Sequence, residues 1–346
     1  MSAASNPSRE LRGRLWLLLP RLASLKLTLA ILVLLAVGVV VAYLSDTRTV
    51  WALVLPLSLC AINLMAAIAS NGIFRRQLPL LVFHLCLLAL IVLVAAGRMT
   101  YLKGQLELTD GTWFEGQLSA VEAGPWHFGR LDQVRFANDG FRIDYDPGIR
   151  RGPTRNAVRF LDPSGEVGQT VIGDQTPLTL HGYRFYTSHN KGFAPTFAWA
   201  PAGGAGSVTG SVHLPAYPLH EYRQARNWHL PESGIEAWTM LQFDGTLIDP
   251  ERADEFKLPA EHVLVLRVGD RRWTLQPGQH VELPGGRLTY QGLRAWMGYT
   301  VFYDWTIPWL LAAAVSATAA LGWHFWCKFA RQPWNGVEVP GGDGNA

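Results

Sequence analysis

From Leu78 to Gly97 the chain reads LPLLVFHLCLLALIVLVAAG, and apart from the Cys86 thiol its only ionisable side chain is His84. About twenty such residues at 1.5 Å rise each make a helix of about 30 Å, the thickness of a bilayer's hydrocarbon core. Arg75 and Arg76 precede the run. After it the sequence turns at once to glycine-rich, aromatic, alternating stretches and stays so until about Trp305. The pattern predicts a helix that joins a membrane bundle to a folded domain outside it.

A histidine inside such a helix has no water for its ring nitrogens and is costly unless something uses it. Two readings stand: a ligand or proton relay, or a packing histidine hydrogen-bonded to Ser58 or Asn63 on the neighbouring span. Leu80, Leu81, Leu87, Leu88 and Ile91 share its helix face, at spacings of three, four and seven, with no carboxylate or second histidine among them. Zinc and di-iron sites need several clustered ligands. One axial imidazole against a flat apolar macrocycle such as haem fits this face better.

Across 346 residues, 49% are hydrophobic and 16% charged, which is too apolar for a soluble chain unless the excess is concentrated. It is, in four runs predicted as helices at about 25–44, 51–69, 78–97 and 304–327. Arg9, Arg12, Arg14, Arg21 and Lys26 lead into the first, which is long for a signal-peptide core and lacks a small-x-small cleavage site. It reads as a retained helix after a tail at 1–24. Basic residues gather at the N-terminus, at Arg75 and Arg76, and at Lys328 and Arg331 in the tail 328–346. The positive-inside rule therefore predicts a multi-pass protein of the bacterial inner membrane, with both termini cytoplasmic and residues 98–303 periplasmic.

That outer region reads as antiparallel β, sandwich-like, because GQLELTDG, GFRIDYD, NAVRFLD, TLHGYRFYTS, TFAWA, HVLVLRV, RRWTLQPG and GRLTYQGL alternate apolar and polar residues between turn formers. All three cysteines lie in the apolar runs, so the domain depends on its core and not on disulfides. A net charge of +3 without a basic cluster excludes nucleic acid as a partner class. The glycine-rich 201–210 loop lacks the Lys-Ser/Thr ending of a phosphate loop, and CxxCH, CxxC, HExxH and G-x-S-x-G are absent. His220 and His229, with Glu221 and Glu232, are loosely spaced for a metal site and more ordinary as solvated loop residues. His324, near the cytoplasmic end of the last span among Trp323, Phe325 and Lys328, reads as an interfacial ring pointing to water, with haem ligation as the sharper alternative.

SLKLTLAILVLLAV, the Asn63-Leu64 pair, HLCLLALIVLVAAG followed by GQLELTDG, FRIDYD, and PLTLHGYRFYTS, in that order and spacing, resemble the ResB family, also called CcsB, of system II cytochrome c biogenesis. Three features depart from the family pattern: Ala66 and Ala67 stand where many members have a cysteine, Asp304-Trp305-Thr306 replaces Asp-Pro-Gly, and the outer domain is short for the family, as in a divergent member. The resemblance implies four membrane helices with a β domain inserted before the last, and a subunit of a haem export and ligation complex. It implies haem b bound through His84 as axial ligand, a CcsA/ResC-type WWD-domain membrane partner, apocytochrome c with its CxxCH as client, and thiol-disulfide reductants of that client. No WWD stretch occurs here, so any catalysis belongs to the complex. The second axial ligand is expected from a partner chain, and the alternative function is a membrane-anchored assembly factor that binds no haem.

Overall fold

The computed structural model describes residues 19–45, 49–204, 206–220, 223–231 and 233–330. The residues before 19, Asp46, Arg48, Glu221, Glu232 and those from Arg331 onward lie outside the described residues, and with them most of the predicted tails and the acidic half of the loose metal site. The chain forms two compact units, one of residues up to Tyr101 with 124–127 and from Asp304 onward, the other of 102–123 and 128–303.

Among the described residues the first unit holds four helices long and apolar enough to cross a membrane: α1 (Leu25–Leu44), α2 (Val50–Ser70), α4 (Leu78–Thr100) and α5 (Ile307–Phe329), with the short α3 (Ile73–Arg76) between the second and third. This is an integral membrane protein, and it carries the helical bundle its hydropathy predicted. Packing runs α1 on α2, α2 on α4, and α4 on α5. Pro56 sits inside α2 and withholds the N–H that Ala52 O would accept. Gly38 of α1 lies against that carbonyl so closely that a Cβ would collide with it. Asn63, buried in α2, takes a hydrogen bond from Thr28 Oγ1 at 2.8 Å and donates to Leu22 O, so it fastens the start of α1 to the end of α2.

The last helix starts three residues later than predicted, and the reason is local. Asp304 Oδ1 accepts from Thr306 N–H at 2.9 Å and from its hydroxyl at 2.7 Å, a turn that holds 304–306 outside the helix. Trp305 then donates its indole N–H to Thr100 Oγ1 at 2.9 Å. Segment 124–127 also belongs to this unit: Trp126 N–H bonds Met99 O at 2.8 Å and His127 Nδ1–H bonds Thr100 O at 2.8 Å, so it supplies donors to the last carbonyls of α4.

The second unit is antiparallel β throughout its named ladders. One seven-stranded sheet has the order β2 (Ala120–Ala123), β1 (Leu102–Thr109), β15 (Gly286–Tyr303), β7 (Tyr183–Pro201), β6 (Leu178–Leu180), with β14 (His280–Leu283) beside β15 and β8 (Val208–Ser211) beside β7. β7 and β15 are 19 and 18 residues long, and their mutual ladder shifts register between Tyr290 and Gly292 and again between Met297 and Tyr299. Irregularities of this kind bend a strand pair. Each long strand thereby serves two cores. One half, with Phe185, Tyr299 and Val301, packs with Phe136 and Val158 from the sheet β11 (Asp254–Glu255), β3 (Phe136–Asp146), β4 (Arg150–Leu161), β5 (Val167–Ile172). The other half, with Phe193, Phe197 and Tyr290, packs with Leu264 and Leu266 from the sheet β13 (Arg271–Leu275), β12 (Val263–Val268), β10 (Glu236–Gln242), β9 (Ala225–His229).

Candidate functional site

Pro79 in the first turn of α4 needs no amide partner there, and it launches the helix that carries His84 six residues, or about 9 Å, inside its start. His84 Nδ1 lies 2.7 Å from Leu80 O one turn back. A carbonyl only accepts, so Nδ1 carries a proton, and Nε2 is the nitrogen left to ligate when the ring is neutral. Two phenylalanines meet the ring edge-on: Phe74 of α3 at 4.7 Å between centroids and Phe83 at 5.2 Å. Phe74 is buried and the histidine half-buried. Neither Ser58 nor Asn63 is the hydrogen-bond partner expected for a packing histidine; Ser58 is exposed and Asn63 is committed to α1. The arrangement is an oriented imidazole with its second nitrogen in apolar surroundings, a geometry suited to binding a metal centre.

His324 is half-buried. It falls on the covered stripe of α5 formed by Ala313, Ala317, Ala320 and Cys327, and α5 packs on α4. Depth is also matched. Thr100 and Trp305 meet at one end of the pair; His84 is sixteen residues from Thr100 and His324 seventeen from Ile307, so both rings lie about 25 Å along their helices from that end. Their azimuths differ, however. Gly97 marks the side of α4 that faces α5, because a Cβ there would come within 2.9 Å of Thr306 Oγ1. His84, thirteen residues earlier at 100° each, is turned about 140° away from that side. The two rings are level but on different sides of α4.

Among the outer histidines, His213 and His262 are held through their rings. His213 Nδ1 faces Glu107 Oε2 at 3.0 Å, its Nε2 faces Thr109 Oγ1 at 2.8 Å, and its ring stacks on Trp296. His262 Nε2 bonds Tyr290 OH at 2.7 Å, and burial lowers its pKa. His220 adopts a positive φ of 56° and His229 ends β9. Among the described residues no three His, Cys, Asp or Glu side chains converge as a metal site. Sequence reading missed the Glu107–His213–Thr109 cluster and Asp110. Glu107 and Thr109 of GQLELTDG do alternate on β1, but their partner His213 lies over a hundred residues away. Asp110 Oδ1 accepts from Asn138 Nδ2 at 2.7 Å, and Asn138 Oδ1 and Tyr299 OH both bond Asn156. Burial pushes the Asp110 carboxyl up to about 6 against the lowering by Asn138 and Arg294.

Residues 63–216 match the family model described as the ResB-like family, a stretch that contains His84, GQLELTDG, FRIDYD and PLTLHGYRFYTS. No curated protein matches the chain. Among solved structures, one titled Cytochrome c Heme Lyase CcmF aligns over 88% of this chain at 13% identity with a TM-score of 0.29, which is too loose to carry any argument. This chain spans about a third of that protein, 35% of its length.

Proposed function

We propose that this chain, a ResB/CcsB-type cytochrome c biogenesis protein, is a subunit of a haem export and haem–apocytochrome c ligation complex that binds haem b in the membrane through His84. The observation that carries the reading is the His84–Leu80 hydrogen bond, which fixes the tautomer and leaves Nε2 as the ligating atom. The donor set fits one haem iron: a single neutral imidazole, apolar neighbours, and no carboxylate to favour a harder ion. Bound there, haem would supply the porphyrin that the complex joins to its client's thiols. His84 would hold and orient it, with Nδ1–H anchored on the Leu80 carbonyl and Phe74 and Phe83 packed edge-on against the ring.

In this reading the β unit faces the periplasm and both termini the cytoplasm, as the basic short loops imply. The partners are a CcsA/ResC-type WWD-domain membrane protein, apocytochrome c with its CxxCH, the thiol-disulfide reductants that keep that motif reduced, and membrane lipid. The second axial ligand comes from the partner, since His324 is on another side of α4. The test is a pyridine haemochrome assay on the chain purified from haem-replete cells with its WWD partner co-expressed. Haem b near one per chain supports the reading; haem-free protein favours the alternative, an anchored assembly factor whose β unit binds a partner without haem.

A further inference from the structure

A cavity of about 440 Å³ opens in the second unit between β8, the last strand on one side of its sheet, and β9, the last strand of another. Its floor is apolar and rigid: Phe197, Trp199 and Leu288 are 3%, 4% and 1% exposed, and Trp228 stacks on Phe197 with centroids 5.1 Å apart. Its two walls are strand edges, and the ladders tell which main-chain groups they leave open. Val212 N–H bonds Pro195 O at 3.0 Å, so by the alternation of an antiparallel pair residues 208, 210 and 212 turn their N–H and C=O toward β7, while Thr209 and Ser211 turn theirs to the free edge. Across the cavity, Leu230 N–H bonds Ile235 O and Leu241 N–H bonds Gln224 O, so even-numbered residues serve β10 and Asn227 and His229 face outward. Among the described residues no strand pairs with either edge, and Arg226 Nη1 reaches across from β9 to His213 O, just past β8, at 2.8 Å.

Natural sheets guard their edges with charge, proline or cover. β8 reads Val-Thr-Gly-Ser, exposed for most of its length, with no charge and no proline, and the space above Gly210 is empty. A small molecule could rest on the floor but would leave the main-chain groups of two strands unmet. An extended polypeptide bonds one edge along its backbone while every second side chain points down to the aromatic floor.

We propose that this cavity is the docking site for an extended, unfolded segment of the client polypeptide, held by main-chain pairing to β8 or β9 and by one apolar or aromatic side chain on Phe197, Trp199 and Leu288. The inference rests on the reading that apocytochrome c is the client, and it places recognition on backbone and one anchor, which suits a chain that has not yet folded around its cofactor.

The experiment is amide hydrogen exchange on the full chain in nanodiscs, with and without reduced apocytochrome c. Exchange at Thr209, Ser211, Asn227 or His229 slows by about tenfold or more on binding, while ladder amides such as Val212 and Leu230 stay unchanged. The double variant Ser211→Pro with Asn227→Pro deletes two outward N–H groups and no ladder bond, and it weakens apocytochrome binding by about tenfold or more. Holocytochrome c, folded around its haem, does not compete. Binding that leaves those four amides unaffected overturns the docking site and spares the haem reading, and so does an absence of binding by a chain that carries His84-dependent haem. A chain with neither haem nor binding overturns both.

Discussion

Replacing Asp110 by asparagine should stabilise the β unit at neutral pH and leave it unchanged in acid. Asp110 follows β1 and is mostly buried, with its Oδ1 2.7 Å from Asn138 Nδ2. Its carboxyl titrates at about 6 in place of the ordinary 3.8, with burial as the largest cause. The folded state therefore binds its proton more tightly than the unfolded chain does. Stability is highest below pH 3.8, falls as pH rises through 6, and is level above. The difference between 3.8 and about 6 corresponds to about 3 kcal/mol, and partial solvent contact reduces the expected figure to about 2 kcal/mol. Asparagine keeps an oxygen for Asn138 and cannot ionise. For a domain of this size the variant should melt about 4–8 °C higher at pH 7.5. The assay is tryptophan-fluorescence melting of the full chain in detergent, where buried Trp296 and Trp199 report on the β unit. Equal melting at pH 7.5, or a gain that persists unchanged at pH 4, would refute the reasoning.

Arg151→Met removes both bonds to Asp174, 2.9 Å each, from side chains only 16% and 26% exposed, and should lower β-unit stability by about 2–3 kcal/mol. Those bonds also hold the Asp174 carboxyl below its ordinary range, so in the wild type their contribution is lost only as pH falls through that lowered value, and the difference between the two proteins measured by melting should narrow in acid. Gly38→Val drives a side chain into the Ala52 carbonyl and should loosen α1 from α2, read as a lower aggregation temperature in detergent and a destabilisation of about 1–3 kcal/mol. His324→Ala should leave the haem spectrum of the complex unchanged, and a low-spin spectrum that collapses in this variant would place both ligands in one chain.

The four spans were legible because twenty apolar residues in a row have few alternatives, and alternation with turn formers marked the outer region as β. What sequence could not supply is long-range. YRFYTS and TFAWA read as separate strands, because KGFAP breaks the alternation between them; the structure runs one strand through, with its ladder to β15 shifted in register near that point. The 201–210 stretch read as a loop, yet its end enters β8 once Thr196–Trp199 offers a partner. His84 was visible from its cost in an apolar helix, but its tautomer follows from a carbonyl one turn away that any residue type would present. Asn63 looked like a possible partner for His84 until the start of α1, forty residues earlier, claimed it. The wall of the outer cavity combines residues from strands far apart in sequence, each unremarkable alone.

The most direct test of the account is the absorption spectrum of the purified full chain as wild type, as His84→Ala, and as His84→Ala with added imidazole. The account predicts a haem b band in the wild type, its loss in the variant, and its return with imidazole, because the free ring occupies the place that Nε2 leaves. A haem band of undiminished intensity in His84→Ala without imidazole would contradict it.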